Sequence, residues 1–223
     1  MSTFNWGILG PGGIARAFAT DLQSLAGHSV AAVGSRTLSN AQEFVSTFGG
    51  KAYGSYEELV ADESVDAIYV ATPHPAHKEN VIAALNAGKP VLCEKPFAVN
   101  AQEAQEMVAA AVANNVALME AMWSRFLPHY ALVREIVASG ILGKILTVHA
   151  DHGQRLADQN IPRLVDPLLA GGALLDLGIY PVSFAHMILD NPTKITASGV
   201  LTDRGVDEQT SMIFDYANGA QAV

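Results

Sequence analysis

The residues of this 223-residue chain best suited to chemistry are a lysine after a short apolar run and a tyrosine far downstream. Lys95 stands in Glu94-Lys95-Pro96 and follows residues 90–93, Pro-Val-Leu-Cys, a run typical of a buried parallel strand. Open α/β sheets bind ligands beyond the carboxyl ends of their strands, so a cation placed there would meet the ligand. The ordinary alternative is a solvated lysine in a loop, the commoner fate of this residue type.

Tyr180 and Asp176 are the candidate partners of Lys95 in proton transfer. Oxidation of a carbinol needs a base, and a phenol, with an ordinary pKa of about 10, is a poor base near neutral pH. A nearby ammonium favours phenolate, so Lys95 could both polarise the substrate oxygen and assist Tyr180. Asp176 would share a helix face with Tyr180 at i,i+4, although Pro181 predicts a kink there. A half-buried packing tyrosine is the alternative.

A glycine-rich turn near the N-terminus predicts a dinucleotide site. Residues 10–15, Gly-Pro-Gly-Gly-Ile-Ala, fit the pattern G-x-G-x-x-A between a predicted strand and a predicted helix. Gly10 permits the tight turn and Gly12 lets the backbone approach a pyrophosphate, while the helix N-terminus adds free N–H groups. We therefore predict cofactor contacts from Gly10, Gly12, Gly13 and Ile14, against the alternative of a glycine turn without a ligand.

The end of the second predicted strand favours NADP over NAD. An NAD site usually carries Asp or Glu about 20 residues after the glycine turn to hold the ribose 2′-hydroxyl. No acidic residue occurs between Asp21 and Glu43. The strand instead leads into Ser35 and Arg36, which could bind a 2′-phosphate through charge-assisted hydrogen bonds. NAD bound beside an exposed Arg36 is the alternative.

The composition argues against nucleic acid and membranes as partners. The net charge is −9 with 13 Lys and Arg residues, too few for a basic phosphate-binding face. There is no uninterrupted apolar run of about 18 residues and no signal-like N-terminus. The single cysteine, Cys93, agrees with a reducing compartment, so we expect a cytoplasmic location.

Histidine pairs at positions 74 and 77 and at 149 and 152 raise the hypothesis of a metal site. A zinc site would need convergent ligands, and the chain has one cysteine. The second pair falls on a predicted strand, where residues three apart face opposite sides of the sheet. We therefore expect no metal.

Alternating apolar runs and amphipathic helices predict the α/β class. Over residues 1–121 they indicate an NAD(P)-binding Rossmann domain, a doubly wound parallel sheet. Its predicted strands cover 4–9, 30–34, 67–71, 91–93 and 117–119. Residues 122–223 predict a substrate and dimerisation domain of α+β type with a mainly antiparallel open sheet. Its predicted strands cover 145–152, 194–200 and 211–216.

The chain closes on a predicted hairpin. Asn218-Gly219 is a strong turn dipeptide, and residues 220–223 read as a return strand. A hairpin left unfinished there would expose a sheet edge. We therefore expect a truncated or shortened chain whose second domain lacks its C-terminal part.

Four ordered motifs resemble those of the Gfo/Idh/MocA oxidoreductases. They are G-P-G-G-I-A from Gly10, A-T-P-H-P-A-H over 71–77, E-K-P from Glu94, and G-G-A-L-L-D-L-G-I-Y over 171–180. Residues 119–128 and Tyr180 look most like the dimeric dihydrodiol dehydrogenases and NADP-dependent D-xylose dehydrogenases of that family. The resemblance spans the whole chain, although family members typically carry further C-terminal residues.

The resemblance implies hydride transfer between a nicotinamide and a carbinol carbon of a sugar, such as aldose C1, or of a vicinal diol. It implies that Lys95 contacts the reacting hydroxyl, that the bond to Pro96 is cis, and that Glu94 lies near the nicotinamide ribose. Further cofactor contacts are implied for Thr72, Pro73, His74, Trp123 and Arg125. The histidine at position 77 more simply begins the following helix.

The resemblance also implies a homodimer or higher homo-oligomer, provided that the second sheet is complete. A small-molecule sugar or diol is the expected substrate. The rival hypothesis is a non-catalytic NADP-binding sensor or regulator of the same fold. The presence of Lys95, Asp176 and Tyr180 together favours the enzyme, because a sensor need not keep a proton-transfer set.

Overall fold

The computed structural model of the chain describes residues 3–155 and 161–223. Contacts within the chain divide it into two compact units, Met1–Ala121 and Met122–Val223, called here the first and the second unit. Two sequence expectations touch positions outside the described residues: the N-terminal positions 1 and 2, and positions 156–160 of the linking stretch before Ala170.

The first unit contains a parallel sheet of six strands within residues 3–155, in the order β3-β2-β1-β4-β5-β6. The strands are β1 Phe4–Leu9, β2 His28–Gly34, β3 Lys51–Tyr53, β4 Ala67–Val70, β5 Val91–Cys93 and β6 Leu118–Glu120. The helices are α1 Gly13–Gln23, α2 Leu38–Phe48, α3 Tyr56–Val60, α4 His77–Asn86 and α5 Ala101–Asn114. This order confirms the predicted doubly wound sheet, while β3 and α3 were not predicted.

The core of the first unit lies on both faces of this sheet. Successive strand residues point to opposite faces, and in β4 Ile68 packs with Leu59, while its neighbour Tyr69 packs with Phe44. All four residues of β4 are buried. A strand covered on both sides must be apolar throughout, which is why an unbroken apolar run predicted it correctly.

The second unit contains four strands within its described residues, in the order β7-β10-β9-β8. They are β7 Thr147–Val148, β8 Lys194–Leu201, β9 Asp207–Asp215 and β10 Gln221–Ala222. The pairs β8–β9 and β9–β10 are antiparallel, and β10–β7 is parallel. The helices are α6 Pro128–Ala138, α7 Pro162–Val165 and α8 Ile179–Leu189.

Two predictions about this sheet were wrong. The strand predicted over 145–152 is shorter: it is a strand only over Thr147–Val148, paired with the two-residue β10, and main-chain hydrogen bonds to Leu146 and from Ala150 flank that pairing. The return strand of the predicted hairpin is β10, and it lies between β9 and β7 rather than forming an exposed edge. The edges of the described sheet are β7 and β8, and every residue of β8 is exposed.

One helical stretch, Pro167–Leu189, is long and apolar enough to pass a length and composition test for a membrane span. It has 23 residues and a mean hydropathy of 1.5, and 17% of its most apolar window is buried. The expectation of no such stretch rested on uninterrupted apolar runs, and here Asp176 interrupts the run. Core helices pass the same test, and Val182 and Ala185 of this stretch pack into the apolar cluster of the second unit.

Candidate functional site

The glycine-rich turn joins β1 to α1. Gly10 has φ +88°, and a Cβ atom there would lie 2.9 Å from the carbonyl oxygen of Ala71, so both its conformation and its space require glycine. A Cβ added at Gly12 or Gly13 would meet nothing within 4 Å. Gly12 and Gly13 therefore leave open space at the N-terminus of α1, where free N–H groups can hold a pyrophosphate. Ile14 is half exposed beside it.

Lys95 lies in the turn directly after β5. The Lys95–Pro96 peptide bond is cis, as the resemblance implies. The Glu94 N–H donates to the carbonyl of Val70 at 3.0 Å, and the Lys95 N–H donates to Glu94 Oε2 at 3.0 Å. The main chain of the turn, rather than the lysine side chain alone, is therefore fixed against the sheet.

Side chains from neighbouring strands secure the same turn. The hydroxyl of Tyr69 on β4 donates to the Glu94 carboxylate, and Glu120 on β6 accepts from the Phe97 N–H at 3.1 Å. Burial raises the pKa of Tyr69, and the Glu94 carboxylate adds to this effect. The phenol therefore keeps its proton and remains a hydrogen-bond donor to Glu94.

Thr72, Pro73 and His74 follow β4. Thr72 is buried, and its hydroxyl accepts from Asn80 Nδ2 at 3.2 Å. Pro73 precedes a short 3₁₀ turn, His74–Ala76. Because β1, β4 and β5 are adjacent parallel strands, the glycine turn, the Thr72 loop and the Lys95 turn all open at the same edge of the sheet.

His77 is a residue whose role the sequence did not indicate. It begins α4 as predicted, but it is fully buried. Its Nδ1 lies 3.0 Å from the carbonyl oxygen of Pro96, and its Nε2 lies 2.9 Å from that of Thr72. Burial lowers the pKa of His77, and the carbonyl contacts oppose that shift. The only hint in the sequence is a polar residue on the buried side of a helix start.

Ser35 and Arg36 lie where β2 ends. Ser35 is buried, and its hydroxyl accepts from the Thr37 N–H at 3.2 Å. Arg36 borders a cavity of about 700 Å³ together with Tyr56 and Glu79. Burial raises the pKa of Tyr56, while a hydrogen bond and the charge of Arg36 oppose this. Tyr56, on the unpredicted α3, was missed as a member of this pocket.

Arg16, a local phosphate candidate by its position at the start of α1, is engaged elsewhere. Its Nη2 lies 2.7 Å from Glu43 Oε1, and its guanidinium lies over the ring of Phe44 at 5.3 Å from the centroid. Arg36 is therefore the better candidate for a phosphate contact.

Tyr180 is the second residue of α8 in the second unit. The indole Nε1 of Trp123 donates to its hydroxyl oxygen at 3.0 Å, and the ring of His152 lies over its ring with centroids 5.2 Å apart. The Tyr180 oxygen thus accepts a hydrogen bond from within the second unit. Trp123 was predicted as a cofactor contact, and in the second unit it also holds Tyr180.

Asp176 lies in a π-helical segment, Leu174–Gly178, so the predicted i,i+4 α-helical face with Tyr180 was wrong. Pro181 has no N–H for the α-helical bond to Leu177, and the π-helical segment lies directly upstream of it. Asp176 is buried, and its Oδ1 accepts from Arg163 Nη1 at 2.8 Å. Single π turns of this kind are frequent at functional sites.

The Gly171-Gly172 pair holds the start of this helical segment against the sheet. Gly172 has φ +124°, and a Cβ atom there would lie 2.1 Å from Oδ1 of Asp207 on β9. The other carboxylate oxygen of Asp207 accepts from the Leu174 N–H at 2.7 Å. Asp207 thus satisfies a helix N–H that would otherwise lack a partner, and only glycine leaves room for it.

The remaining predicted residue, Arg125, lies in the 3₁₀ turn Trp123–Phe126, and its carbonyl accepts from Arg134 Nη1 at 2.8 Å.

A cavity of about 590 Å³ in the second unit is lined by His152, Pro181 and Glu208 among others, and so lies beside Tyr180. Among the described residues, no group of three or more His, Cys, Asp or Glu side chains could hold a metal ion.

Comparison with solved structures gives matches over the whole chain. A 3-ketoreductase from Actinomadura kijaniata, KijD10, in complex with NADP and TDP-benzene, superimposes with a TM-score of 0.88 at 29% identity, covering 99% of this chain and 69% of its own. GenD2 from gentamicin A biosynthesis, in complex with NAD, reaches a TM-score of 0.88 at 23% identity, covering 100% of this chain and 65% of its own. The second match supports the fold alone.

Comparison with curated sequences gives relatives named trans-1,2-dihydrobenzene-1,2-diol dehydrogenase. The Mus musculus protein is 48% identical over 219 residues, and the Homo sapiens protein is 45% identical over 216 residues. The alignments cover 96% and 95% of this chain and 65% and 64% of those proteins. The chain therefore spans about two thirds of its relatives' length.

Two family models match. Residues 4–122 match the oxidoreductase family with an NAD-binding Rossmann fold, and residues 130–223 match the GFO/IDH/MocA C-terminal domain. Both matches agree with the motifs in the glycine turn, the Lys95 turn and the helical segment of Tyr180. The chain belongs to the Gfo/Idh/MocA family of oxidoreductases.

Proposed function

We propose that this protein is an NADP-dependent oxidoreductase that transfers a hydride between the nicotinamide and a carbinol carbon of a vicinal diol or a sugar. The observation that carries the proposal is the shared edge of the first sheet, where the glycine turn, the Thr72 loop and the Lys95 turn follow β1, β4 and β5. Gly12 would hold the pyrophosphate of a dinucleotide bound along this edge, and Lys95 would face the group that reacts with it.

The residues of the chain fit such a cofactor. The open space at Gly12 and Gly13 admits phosphate oxygens to the N-terminus of α1, where the first turn carries no acidic residue. When bound, the nicotinamide supplies the hydride acceptor for alcohol oxidation. Thr72, Pro73, His74 and Glu94 are proposed as contacts along the cofactor, with Trp123 and Arg125 contributed by the second unit.

Lys95 and Tyr180 are proposed as the groups that act on the substrate oxygen. Lys95 donates a hydrogen bond to that oxygen, and Tyr180 takes the hydroxyl proton as the C–H bonding pair leaves as hydride. The Trp123 N–H, which already donates to the Tyr180 oxygen, stabilises negative charge on it. Asp176, held by Arg163, is proposed to orient the substrate.

A vicinal diol is the favoured substrate class, and a sugar is the second. The curated relatives at 42–48% identity are named as dehydrogenases of a ring-borne 1,2-diol. The 3-ketoreductase relative was crystallised with a nucleotide-linked ligand and NADP. The first name describes oxidation of a diol and the second reduction of a ketone, and both reactions interconvert a carbinol and a carbonyl carbon.

The activity can be tested directly. The protein is mixed with NADP⁺ and a panel of cyclic vicinal diols, pentoses and hexoses, and the nicotinamide absorbance is followed. We expect turnover with at least one diol. Cofactor binding without turnover on any member of the panel would contradict the enzyme and favour a non-catalytic NADP-binding regulator.

NADP is the proposed cofactor because Ser35 and Arg36 directly follow β2, and Arg36 lines the 700 Å³ cavity, where it could contact a 2′-phosphate. Replacement of Arg36 by Asp removes a charge-assisted hydrogen bond worth about 1.5–3 kcal/mol, so NADP⁺ affinity should fall roughly 10- to 150-fold. The dissociation constant of NAD⁺ is the matched comparison, and we expect it to change little. An unchanged preference for NADP⁺ after the substitution would overturn this assignment.

We also propose a cytoplasmic protein that assembles as a homodimer or higher homo-oligomer through the second sheet. The support is β8, which is exposed along its whole length and carries exposed Ile195, Val200 and Leu201. Light scattering coupled to size-exclusion chromatography tests it. A monomer at high micromolar concentration would contradict the assembly.

A further inference from the structure

We infer that His77 is a positioning residue that ties the Lys95 turn to the Thr72 loop. This inference rests on the proposed function, in which one loop contacts the cofactor and the other carries the group that acts on substrate. The imidazole reaches both loops through main-chain carbonyls, those of Pro96 and Thr72, at 3.0 and 2.9 Å. It therefore acts on backbone position and not on any reacting atom.

The location of His77 makes this connection rigid. The side chain is fully buried, and it occupies the first position of α4, whose apolar face packs in the core cluster through Val81 and Leu85. A helix anchored in the core cannot shift easily, so its first residue holds both carbonyls at fixed separation. The two loops follow β4 and β5, and Pro96 is 19 residues beyond His77 in the chain.

The number of N–H groups on the His77 ring matters, because its two partners are carbonyl oxygens, which can only accept hydrogen bonds. A neutral imidazole has one N–H and the imidazolium has two, so the number of carbonyls it can satisfy depends on its protons. Burial lowers the pKa of His77, whereas the carbonyls and the Glu94 carboxylate favour the charged form. The ring of His74, 5.7 Å away, is the other titratable group beside it. Both carbonyls can accept at once only from the charged ring, which carries an N–H at each nitrogen.

Two substitutions separate the two contacts. The amide nitrogen of His77→Asn stands close to the position of Nδ1 and can still donate to Pro96. The amide nitrogen of His77→Gln stands close to the position of Nε2 and can still donate to Thr72. We expect His77→Asn to keep kcat near that of the parent and to weaken NADPH binding about tenfold, the equivalent of one lost hydrogen bond. We expect His77→Gln to lower kcat about tenfold with NADPH affinity kept.

Hydrogen exchange provides a readout that does not depend on turnover. In His77→Asn, amide exchange should accelerate about tenfold in residues 72–76 and stay unchanged in 94–98, and His77→Gln should show the reverse. The matched control is Val81→Ala, which removes volume from the same buried helix without removing a hydrogen bond. It should lower the melting temperature and leave the contrast between the two loops unchanged.

The outcomes are distinct from those that test the proposed function. If the parent protein shows no turnover, the proposed function fails, and the exchange experiment still tests the connection. The positioning role is overturned if Asn and Gln variants change both loops equally, or if neither loop differs from the Val81→Ala control. It is also overturned if both variants lower kcat and NADPH affinity in parallel.

Discussion

The two units hold their candidate catalytic groups in different ways. In the first unit, the turn that carries Lys95 is fixed through main-chain atoms, by partners on β4, β6 and α4. In the second unit, the Tyr180 oxygen accepts from the indole N–H of Trp123, and Asp176 accepts from the half-exposed guanidinium of Arg163. The first arrangement fixes the main chain of a turn, whereas these contacts of the second unit join side chains.

The sheets of the two units also differ in how completely they are buried. The first sheet is buried on both faces, and β4 has no exposed residue. The second sheet leaves all of β8 exposed, and its described apolar cluster packs around Val148, Ala185 and Phe214. A group placed by the backbone of a doubly covered sheet should tolerate loss of its own side chain without structural change. A group placed by side chains should lose its position with a single substitution.

The largest expected effect is on the first unit, at Lys95. Lys95→Met should lower kcat/KM about 100- to 10,000-fold by removing the group that donates to the substrate oxygen. The melting temperature and NADPH affinity should stay near those of the parent, because the backbone holds the turn. Lys78→Met, at an exposed ion pair with Glu106, is the control and should change neither rate nor stability appreciably. A parallel loss of cofactor affinity in Lys95→Met would break the comparison.

In the second unit, Tyr180→Phe should lower kcat about 100-fold or more, since the proton acceptor is removed. Trp123→Phe keeps an aromatic ring, although a smaller one, and removes the donor to Tyr180, so kcat should fall about tenfold. Steady-state kinetics on the best diol measure both. Tyr130→Phe, on α6 with an edge contact to Phe184, is the matched tyrosine control. An unaltered rate in Trp123→Phe would show that the action of Tyr180 does not depend on the indole N–H.

Two glycines of the same turn in the first unit are expected to have different roles, Gly10 in folding and Gly12 in cofactor binding. Gly10→Ala places a Cβ atom 2.9 Å from Ala71 oxygen at φ +88°, so we expect a loss of about 1–3 kcal/mol in unfolding free energy. Gly12→Ala meets no atom within 4 Å, so it should fold normally and lose NADPH affinity instead. Chemical denaturation and cofactor titration on both variants separate the two roles. Equal destabilisation by both would contradict the assignment of Gly12 to ligand approach.

The smallest expected effect concerns Asp62, in the loop after α3. A hydrogen bond from the Ser64 hydroxyl lowers the pKa of Asp62, and bonds from the Ser64 amide and Tyr53 act in the same direction. A carboxyl with a lowered folded-state pKa stabilises the protein above its unfolded pKa of about 4, and the contribution is lost as pH falls through the folded value. Asp62→Asn should therefore cost about 1 kcal/mol at pH 7 and less at pH 3. Chemical denaturation of both proteins measures this effect. If the difference in unfolding free energy between Asp62→Asn and the parent stays constant from pH 7 to pH 3, the prediction is wrong.

Much of the first unit could be predicted because its signals are local. A strand buried on both faces is an unbroken apolar run, and the glycine turn and the Lys95 turn each lie within a few residues. The strand β3 was missed because Lys51-Ala52-Tyr53 is only three residues long and has no apolar run. It is a strand because it pairs with β2 at the edge of the sheet. The second sheet was predicted less well, since the extent of β7 is set by the two-residue partner β10 and not by its own sequence.

The site shows the same division. The conformations of the turns at Gly10 and Lys95 could be predicted because neighbouring residues in the sequence define them. The contacts of His77 and Tyr56 could not, because they are made with a carbonyl 19 residues away and with a guanidinium on another element. The π-helical segment was also missed: Pro181 predicts a disturbance of the helix, but no local pattern predicts that a π turn forms.

The contact between Gly172 and Asp207 has a consequence for redesign of the second unit. Asp207 accepts from the Leu174 N–H, and position 172 has no space for a side chain, so the start of the helical segment is fixed relative to β9. The positions of Asp176 and Tyr180, a few residues further along the chain, depend on where this segment starts. Substitutions on the wall of the 590 Å³ cavity can therefore be made with Gly172 and Asp207 left unchanged, so that the start of the helical segment keeps its position.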